Sequence, residues 1–506
     1  MVDWASGYYP SAEPVAVASP SQWYETNRAG TAAMTAQVSR GGLALPVARH
    51  NHAVPLLQVF AIALMVFPAD GVIMAIGGGG YLAALIAYFA FLAWMACTLL
   101  GLHNPLKYRY PVRIALAALW IVSLVSYALM NRAMLSSTQQ VAADRWLLQL
   151  ADVSGIILVA AECLRSVDDI RRVLRALTLG GAFCGIVATL QFWLDRDITP
   201  FLVRLLPGFS VDQVVAANAA ATVRGGFNRA SGTAIDPIEL GVVAGMLLPL
   251  AIYLAIYDKD KSLARRWLPV LFIAAAVPES VSRSAILAAG IGIGVLVVLL
   301  RPVPRLGILA GLAMAIAGVF VAEPKLISTL RYYFVAGTSD PSIAHRVNNY
   351  SYVEQLVRQA PWFGQGGGTY LPAYGTNVLD NQYLTTAIEL GLVGLAVLAF
   401  FLIWPALAAL TARRRTHNPE LRDLCAALAS SALAAAACAG TFDSLSFPMF
   451  VNVQALVLGL IGAAWILANK KEMGIPRVNL LWQDDNGMVT RLRNDGARAV
   501  NVGGGN

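Results

Sequence analysis

The sequence predicts an all-α polytopic membrane protein with about twelve transmembrane helices and two long extracytoplasmic loops. Three observations carry this. Of the 506 residues, 58% are hydrophobic and the mean hydropathy is +0.62. Only 13% are charged, against about 25% in soluble domains. Apolar runs of about 20 residues, the length of a membrane crossing, recur along the chain.

In chain order the predicted spans cover residues 54–76, 81–102, 113–130, 146–163, 173–193, 237–257, 267–279, 283–300, 306–322, 383–410, 422–440 and 450–468. The first is the least regular, with Pro68 and Asp70 inside it and Gly77 to Gly80 after it. The seventh is too short to cross fully. It is predicted to form a bent pair with the eighth through a turn at 278–283.

Basic residues set the orientation. Placing the N-terminus in the cytoplasm puts Lys107, Lys259, Lys261, Lys470 and Lys471 inside and leaves Lys325 outside. The arginine-bearing segments 109–113, 165–175, 265–266, 301–305 and 413–415 fall inside as well. This is the positive-inside pattern, and both termini are then cytoplasmic. Residues 53–470 form the predicted transmembrane catalytic domain. The flanking tails, 1–52 and 471–506, are expected to be disordered. No cleavable signal peptide is read in the polar N-terminal segment.

The net charge of +8 does not indicate a nucleic-acid partner, because the basic residues lie in short loops between apolar runs. The five cysteines, Cys97, Cys163, Cys184, Cys425 and Cys438, fall in or beside apolar segments without metal-ligand spacing. They read as small buried hydrophobes. Zinc motifs, Walker loops and dinucleotide fingerprints are not found, so neither a metal nor another cofactor is expected.

Two outer loops remain, about 194–236 and 323–382. Long loops between membrane helices often carry function. The first ends in Arg229-Ala-Ser-Gly-Thr-Ala-Ile-Asp-Pro-Ile-Glu-Leu-Gly241 and opens directly into an apolar run. An arginine, flexible Ser/Gly positions and a carboxylate thus sit where water meets lipid. Ionisable groups are costly there and mark a substrate, an ion or a partner charge. Arg283 repeats the arrangement in Pro278-Glu-Ser-Val-Ser-Arg-Ser284. The second loop has a helical-looking segment at 345–359, then Pro361-Trp-Phe-Gly-Gln-Gly-Gly-Gly368. These predict an amphipathic surface helix and a glycine turn approaching the site.

Arg224, Arg229, Arg283 and Arg346 all belong to the predicted outer face. A guanidinium stays charged and matches phosphate oxygens with a fork of donors, so these are the candidate diphosphate or glycan ligands. Structural pairing is the alternative, with Glu279 one helical turn before Arg283 as the expected partner. Asp380 and Glu239 are the candidate catalytic bases, although either could instead cap a helix. His345 is a further base candidate, and an ordinary surface histidine otherwise. Asp70, Glu162, Glu389 and Asp443 lie near helix ends, where pairing or capping suffices.

Three ordered blocks within about 229–394 resemble the O-antigen ligase and polymerase family of bacterial envelope glycosyltransferases. The first is Arg229-x-Ser-Gly-Thr with Pro237 leading into a helix. The second is Ser282-Arg-Ser284. The third comprises Arg346, Pro361-Trp-Phe-Gly-Gln-Gly366, Asp380-Asn-Gln-Tyr-Leu384 and Glu389-Leu-Gly-Leu-Val-Gly394. The resemblance implies a GT-C-like, all-helical fold in the bacterial cytoplasmic membrane, with the site facing outward. It implies an undecaprenyl-diphosphate-linked glycan as donor, a glycan acceptor, and neither nucleotide sugar nor metal. Arg229, Arg283 and Arg346 would then meet the diphosphate or glycan, with Asn381 and Tyr383 as further substrate contacts. The ligases show a histidine before the Asn of the third block, where this chain has Asp380. The expectation is therefore a polymerase of lipid-linked repeat units, with a flippase and chain-length regulator as partners beside the membrane lipids. Transfer to another acceptor lipid, polymer or protein is the alternative. A lipid-linked glycan transporter is a third reading. It is disfavoured because polar groups gather at one face and no internal repeat is found.

Overall fold

The computed structural model describes residues 51–73, 80–211, 223–224, 227–322, 325, 341–371, 377–469, 481–483 and 489–491. Each predicted apolar segment holds a helix. In order these are α1 (Ala53–Val66), α2 (Leu82–Leu99), α3 (Pro111–Leu129), α4 (Ser137–Cys163) and α5 (Val167–Leu194). A short α6 (Thr199–Arg204) follows, then α7 (Pro237–Tyr257), α8 (Leu263–Glu279), α9 (Arg283–Leu299) and α10 (Pro302–Ala322). The chain continues through α11 (Pro341–Gln359), α12 (Gln382–Glu389), α13 (Gly391–Arg415), α14 (Pro419–Cys438) and α15 (Pro448–Ala468). Among the described residues, eight helices are long and apolar enough to cross a membrane: α2 to α5, α7 and α13 to α15. The protein is thus all-α and polytopic.

Local sequence explains the helix starts. Ser136 and Gln139 form a reciprocal capping box at α4. Ser166 caps α5, and Asp168 and Asp169 occupy its first turn, where the helix dipole favours carboxylates. Asp236 and Asn418 cap α7 and α14, each followed by a proline at the first helical position.

Packing sorts the helices into centre and rim. Helices α7, α14 and α15 are almost wholly buried, whereas α2 turns Phe89 and Leu92 outward, as a lipid-facing helix would. The close approach of α7 and α9 rests on small residues. A Cβ at Gly241 would strike Ala285 and Ser280, and one at Gly245 would strike Ala288. Without such positions the backbones could not come together, since apolar burial does not drive helices together in lipid.

The helices alternate in direction, and their contacts sort their ends into two sets. One end is basic. There Arg171 bridges α5 to Glu420 at 3.2 Å, Arg175 binds Asp258 at 2.8 Å, and Arg413 reaches the carbonyl of Leu299. Asn51, just before α1, donates to the carbonyl of Cys163 at 2.7 Å, and Asn469, just after α15, accepts from Arg415 at 2.8 Å. Both boundaries of the helical body therefore lie at this end. The basic segments expected to share one face do share it.

Two local readings change. The first span stops at Val66. Beyond Pro68 the chain forms β1 (Gly71–Val72), antiparallel to β2 (Ser210–Val211). The bent pair α8–α9 forms as expected, and its turn holds the β-branched Val281 at φ 45°. That conformation costs about 1–2 kcal/mol. The span expected at 383–410 breaks at Leu390 into α12 and α13, with Gly391 at φ 71°. In the segment after residue 470, the described residues are β5 (Leu481–Gln483) and β6 (Val489–Arg491), which pair antiparallel. The N-terminal tail up to residue 50 lies outside the described residues.

The break at Leu390 explains the glycine segment after α11. Gln365 and Gly366 donate backbone N–H groups to the carbonyls of Ile388 and Glu389 at 3.1 and 2.9 Å. Leu392 and Val393 donate back to Pro361 and Trp362. A side chain at Gly364 or Gly391 would overlap the opposing backbone, and both have positive φ. The Glu389 carboxylate accepts from the N–H of Tyr370 at 3.2 Å. The glycine turn, expected to approach the site, clasps the helix break.

Candidate functional site

The end opposite the basic one gathers the sequence motifs. Asp236 opens α7 by accepting from the N–H of Ile238 at 2.6 Å. The loop before it, 229–235, is laid across the α8–α9 turn. Arg229 Nε donates to the carbonyl of Ser280 at 3.2 Å, and the N–H of Ala230 donates to the carbonyl of Glu279 at 3.1 Å. Ser280 lies three residues before Arg283, so the two predicted arginine blocks meet.

The same loop is tied at its other side. Thr233 Oγ1 donates to the carbonyl of Met65 at 2.7 Å, and the N–H of Ala69 donates to the carbonyl of Thr233 at 2.9 Å. Gly232 adopts φ 61°, with Cys184 and Leu240 packed where a side chain would be. Only glycine fits there without strain.

The third block arrives through α12. Asn381 is the helix cap: its side-chain oxygen accepts from the N–H groups of Tyr383 and Leu384 at 3.0 and 3.3 Å. Asp380 precedes it at φ 47° and is relieved of the capping role. Gln382 joins the block to the α14–α15 connection. Its N–H donates to the carbonyl of Ala439 at 2.9 Å, and its side-chain oxygen accepts from the N–H of Leu445 at 2.7 Å. Tyr383 donates to the carbonyl of Ala436 at 2.7 Å. Asn381 and Tyr383, expected as substrate contacts, therefore both hold structural bonds.

Electrostatics tie three carboxylates into one cluster. Burial raises the Asp236 carboxyl above the usual range. The Ile238 N–H and the charge of Arg229 pull it down, and the charge of Asp380 pushes it up again. Burial likewise raises Asp443, which hydrogen bonds from Ser446 and Thr385 lower and Asp380 raises. Asp380 thus stands electrostatically between Asp236 and Asp443, with Arg229 beside Asp236. Sequence reasoning singled out Asp380, read Asp443 as pairing or capping, and gave Asp236 no separate role. The sequence showed only Pro237 leading into a helix, and the place of Asp236 beside Arg229 followed from folding.

Both carboxylate oxygens of Glu239, the other candidate base, are engaged by backbone N–H groups. It is fully buried. One carboxylate oxygen accepts from the N–H groups of Met449 and Phe450 at 2.7 and 3.0 Å, and the other from the N–H of Ile235 at 2.9 Å. It therefore satisfies two donors in the first turn of α15 and fastens that helix to α7. Glu239→Gln should lower stability by about 1–3 kcal/mol, because the amide oxygen can replace only one carboxylate oxygen and the NH2 is left facing an N–H donor. The folded fraction should keep turnover near wild type. Thermal unfolding in detergent, with specific activity per folded molecule, checks this. Loss of turnover without loss of stability would restore the base assignment.

Glu279, the expected partner of Arg283, instead accepts from Thr189 Oγ1 at 3.2 Å and Trp193 Nε1 at 3.1 Å. Arg224 lies on β3 (Val223–Arg224), paired with β4 (Phe227–Asn228) in the connection between α6 and α7. Arg346 and His345 lie on α11. The side chains of Arg224, His345 and Arg346 lie outside the described residues.

Fold and site together define a multi-pass membrane protein that gathers arginine-bearing segments and carboxylates at one helix end. Residues 268–399 match the family model described as O-antigen ligase, so the chain carries an O-antigen-ligase-family domain. The matched stretch contains Arg283, Arg346 and Asp380, whereas Arg229 and Asp236 precede it. The family is one of glycosyl-transferring membrane enzymes. No curated protein matches the chain.

Proposed function

We propose that the protein polymerises undecaprenyl-diphosphate-linked repeat units on the outer face of the bacterial cytoplasmic membrane. The carrying observation is the contact of Arg229 with the turn that leads into Arg283, beside Asp236 and Asp380. Two guanidinium groups supplied to one place suit a diphosphate leaving group. The acceptor hydroxyl attacks the anomeric carbon, the glycosidic bond to phosphate breaks, and undecaprenyl diphosphate departs. Asp380 takes the hydroxyl proton. Arg346, on α11, adds contact to the donor's diphosphate or glycan, and Arg224 is a further candidate. The basic end faces the cytoplasm, which places both boundaries of the helical body inside.

Transfer to a different acceptor is the second reading, favoured by the ligase description of the matched family. Purified protein given lipid-linked repeat unit, with or without a second acceptor lipid, tests both. Growth of a repeat-unit ladder supports polymerisation, and product on the second acceptor alone supports the ligase reading. The ladder should form in excess chelator, because arginines meet the leaving-group charge. Loss of the ladder in chelator, restored by magnesium or manganese, would contradict that arrangement.

A further inference from the structure

We infer that the last turns of α5 position the site, with Gln191, Thr189 and Trp193 fixing the two backbone segments that present Arg229 and Arg283. This rests on the reading that those arginines bind the donor diphosphate.

Gln191 makes three bonds to two adjacent residues of the arginine loop. Its Oε1 accepts from the N–H groups of Ser231 and Gly232 at 3.1 and 2.7 Å, and its Nε2 donates to the carbonyl of Gly232 at 3.1 Å. The other Nε2 hydrogen goes to Asp197 Oδ1 at 3.0 Å. Asp197 is itself held by the N–H and hydroxyl of Thr199, at 3.0 and 2.9 Å. A flipped amide would set its NH2 against two N–H donors, so a single orientation satisfies every partner.

Thr189 and Trp193, two residues to either side, hold the Glu279 carboxylate at 3.2 and 3.1 Å. The main-chain carbonyl of the same Glu279 receives the N–H of Ala230 at 3.1 Å. One helix end therefore reaches the loop directly through Gln191 and the α8–α9 turn through Glu279. Arg229 and Arg283 extend from these two segments. Displacing either by about 1 Å can cost a hundredfold in rate. Helix α5 precedes the family-matched residues 268–399, so neither the family match nor the sequence blocks mark it.

The test uses the purified full-length protein and polyprenyl diphosphate as the probe. Gln191→Met keeps length and bulk but removes all of these bonds. Hydrogen exchange at residues 230–234 should quicken. Probe affinity should fall about tenfold, the scale of one or two lost hydrogen bonds. KM should rise more than kcat falls. Trp193→Phe removes one N–H while keeping a ring. It should weaken the probe severalfold, and it serves if Gln191→Met folds poorly. Unchanged exchange in either variant overturns the inference. Wild-type affinity in Gln191→Met, where Arg229→Ala binds weakly, also overturns it. Wild-type affinity in Arg229→Ala instead overturns the diphosphate reading, and faster exchange with lowered turnover in Gln191→Met then still supports positioning by α5.

Discussion

Replacing Arg229 or Arg283 with alanine is expected to cut glycan transfer by about a hundredfold or more, the scale of losing a preorganised charge at a leaving group. The protein should still insert and fold. Arg229 Nε donates to the carbonyl of Ser280. Its loop keeps the bonds of Ala230 to Glu279, of Ser231 and Gly232 to Gln191, and of Thr233 to Met65. Arginine-to-lysine variants should recover only part of the activity, because an ammonium keeps the charge but loses the two-pronged geometry. Polymer length in cells, alongside the amount of protein in the membrane, reads the result. Wild-type polymer in cells carrying both alanine changes would remove these residues from the reaction.

Asp380→Asn should stop chemistry and spare binding. Turnover should fall about a hundredfold, within the usual range for general bases, with donor affinity nearly unchanged. Two structural facts make this substitution clean. Asn381 rather than Asp380 caps α12, so the helix start survives. Asparagine also tolerates the left-handed backbone at φ 47°. The change has a pH signature. The charge of Asp380 helps hold the carboxyls of Asp236 and Asp443 above their usual range. Removing it lets both ionise at lower pH, so any residual activity that needs them charged should extend further into acid. Near-normal turnover would leave the proton to another group. Asp236 would then be the next candidate, because Glu239 is occupied at the start of α15.

Much of the fold was legible because lipid constrains it. A crossing needs a long apolar run, and every predicted run holds a helix. The basic segments were legible for the same reason, and their gathering at one end follows from helix alternation. The break at Leu390 was not legible, because residues 383–410 read as one apolar run. It is fixed by the docking of Pro361 and Trp362 backbone onto Leu392 and Val393, a contact between segments about thirty residues apart. The site was legible as blocks rather than as partners. Arg229 and Arg283 stood out because arginine beside an apolar run is costly. Gln191 gave no such signal, because an amide near a helix end is ordinary until a loop lands on it. Glu239 is the opposite case. A carboxylate near an arginine motif suggests chemistry, but its geometry serves a distant helix.

The hydrogen bond between Ala230 and Glu279 also bears on what can be transplanted. The family-matched segment starts at residue 268 and holds only one partner of that bond. The other partner carries the loop of Arg229 and Asp236, which is anchored on α1 and α5. Glu239, just downstream of the loop, fastens α15. The recognisable stretch is therefore not an autonomous catalytic cassette. A chimera built by swapping residues 268–399 would import one wall of the site and inherit the other from its host. Any exchange of acceptor preference between relatives by that route would depend on whether the host's α5 and its loop match the incoming turn.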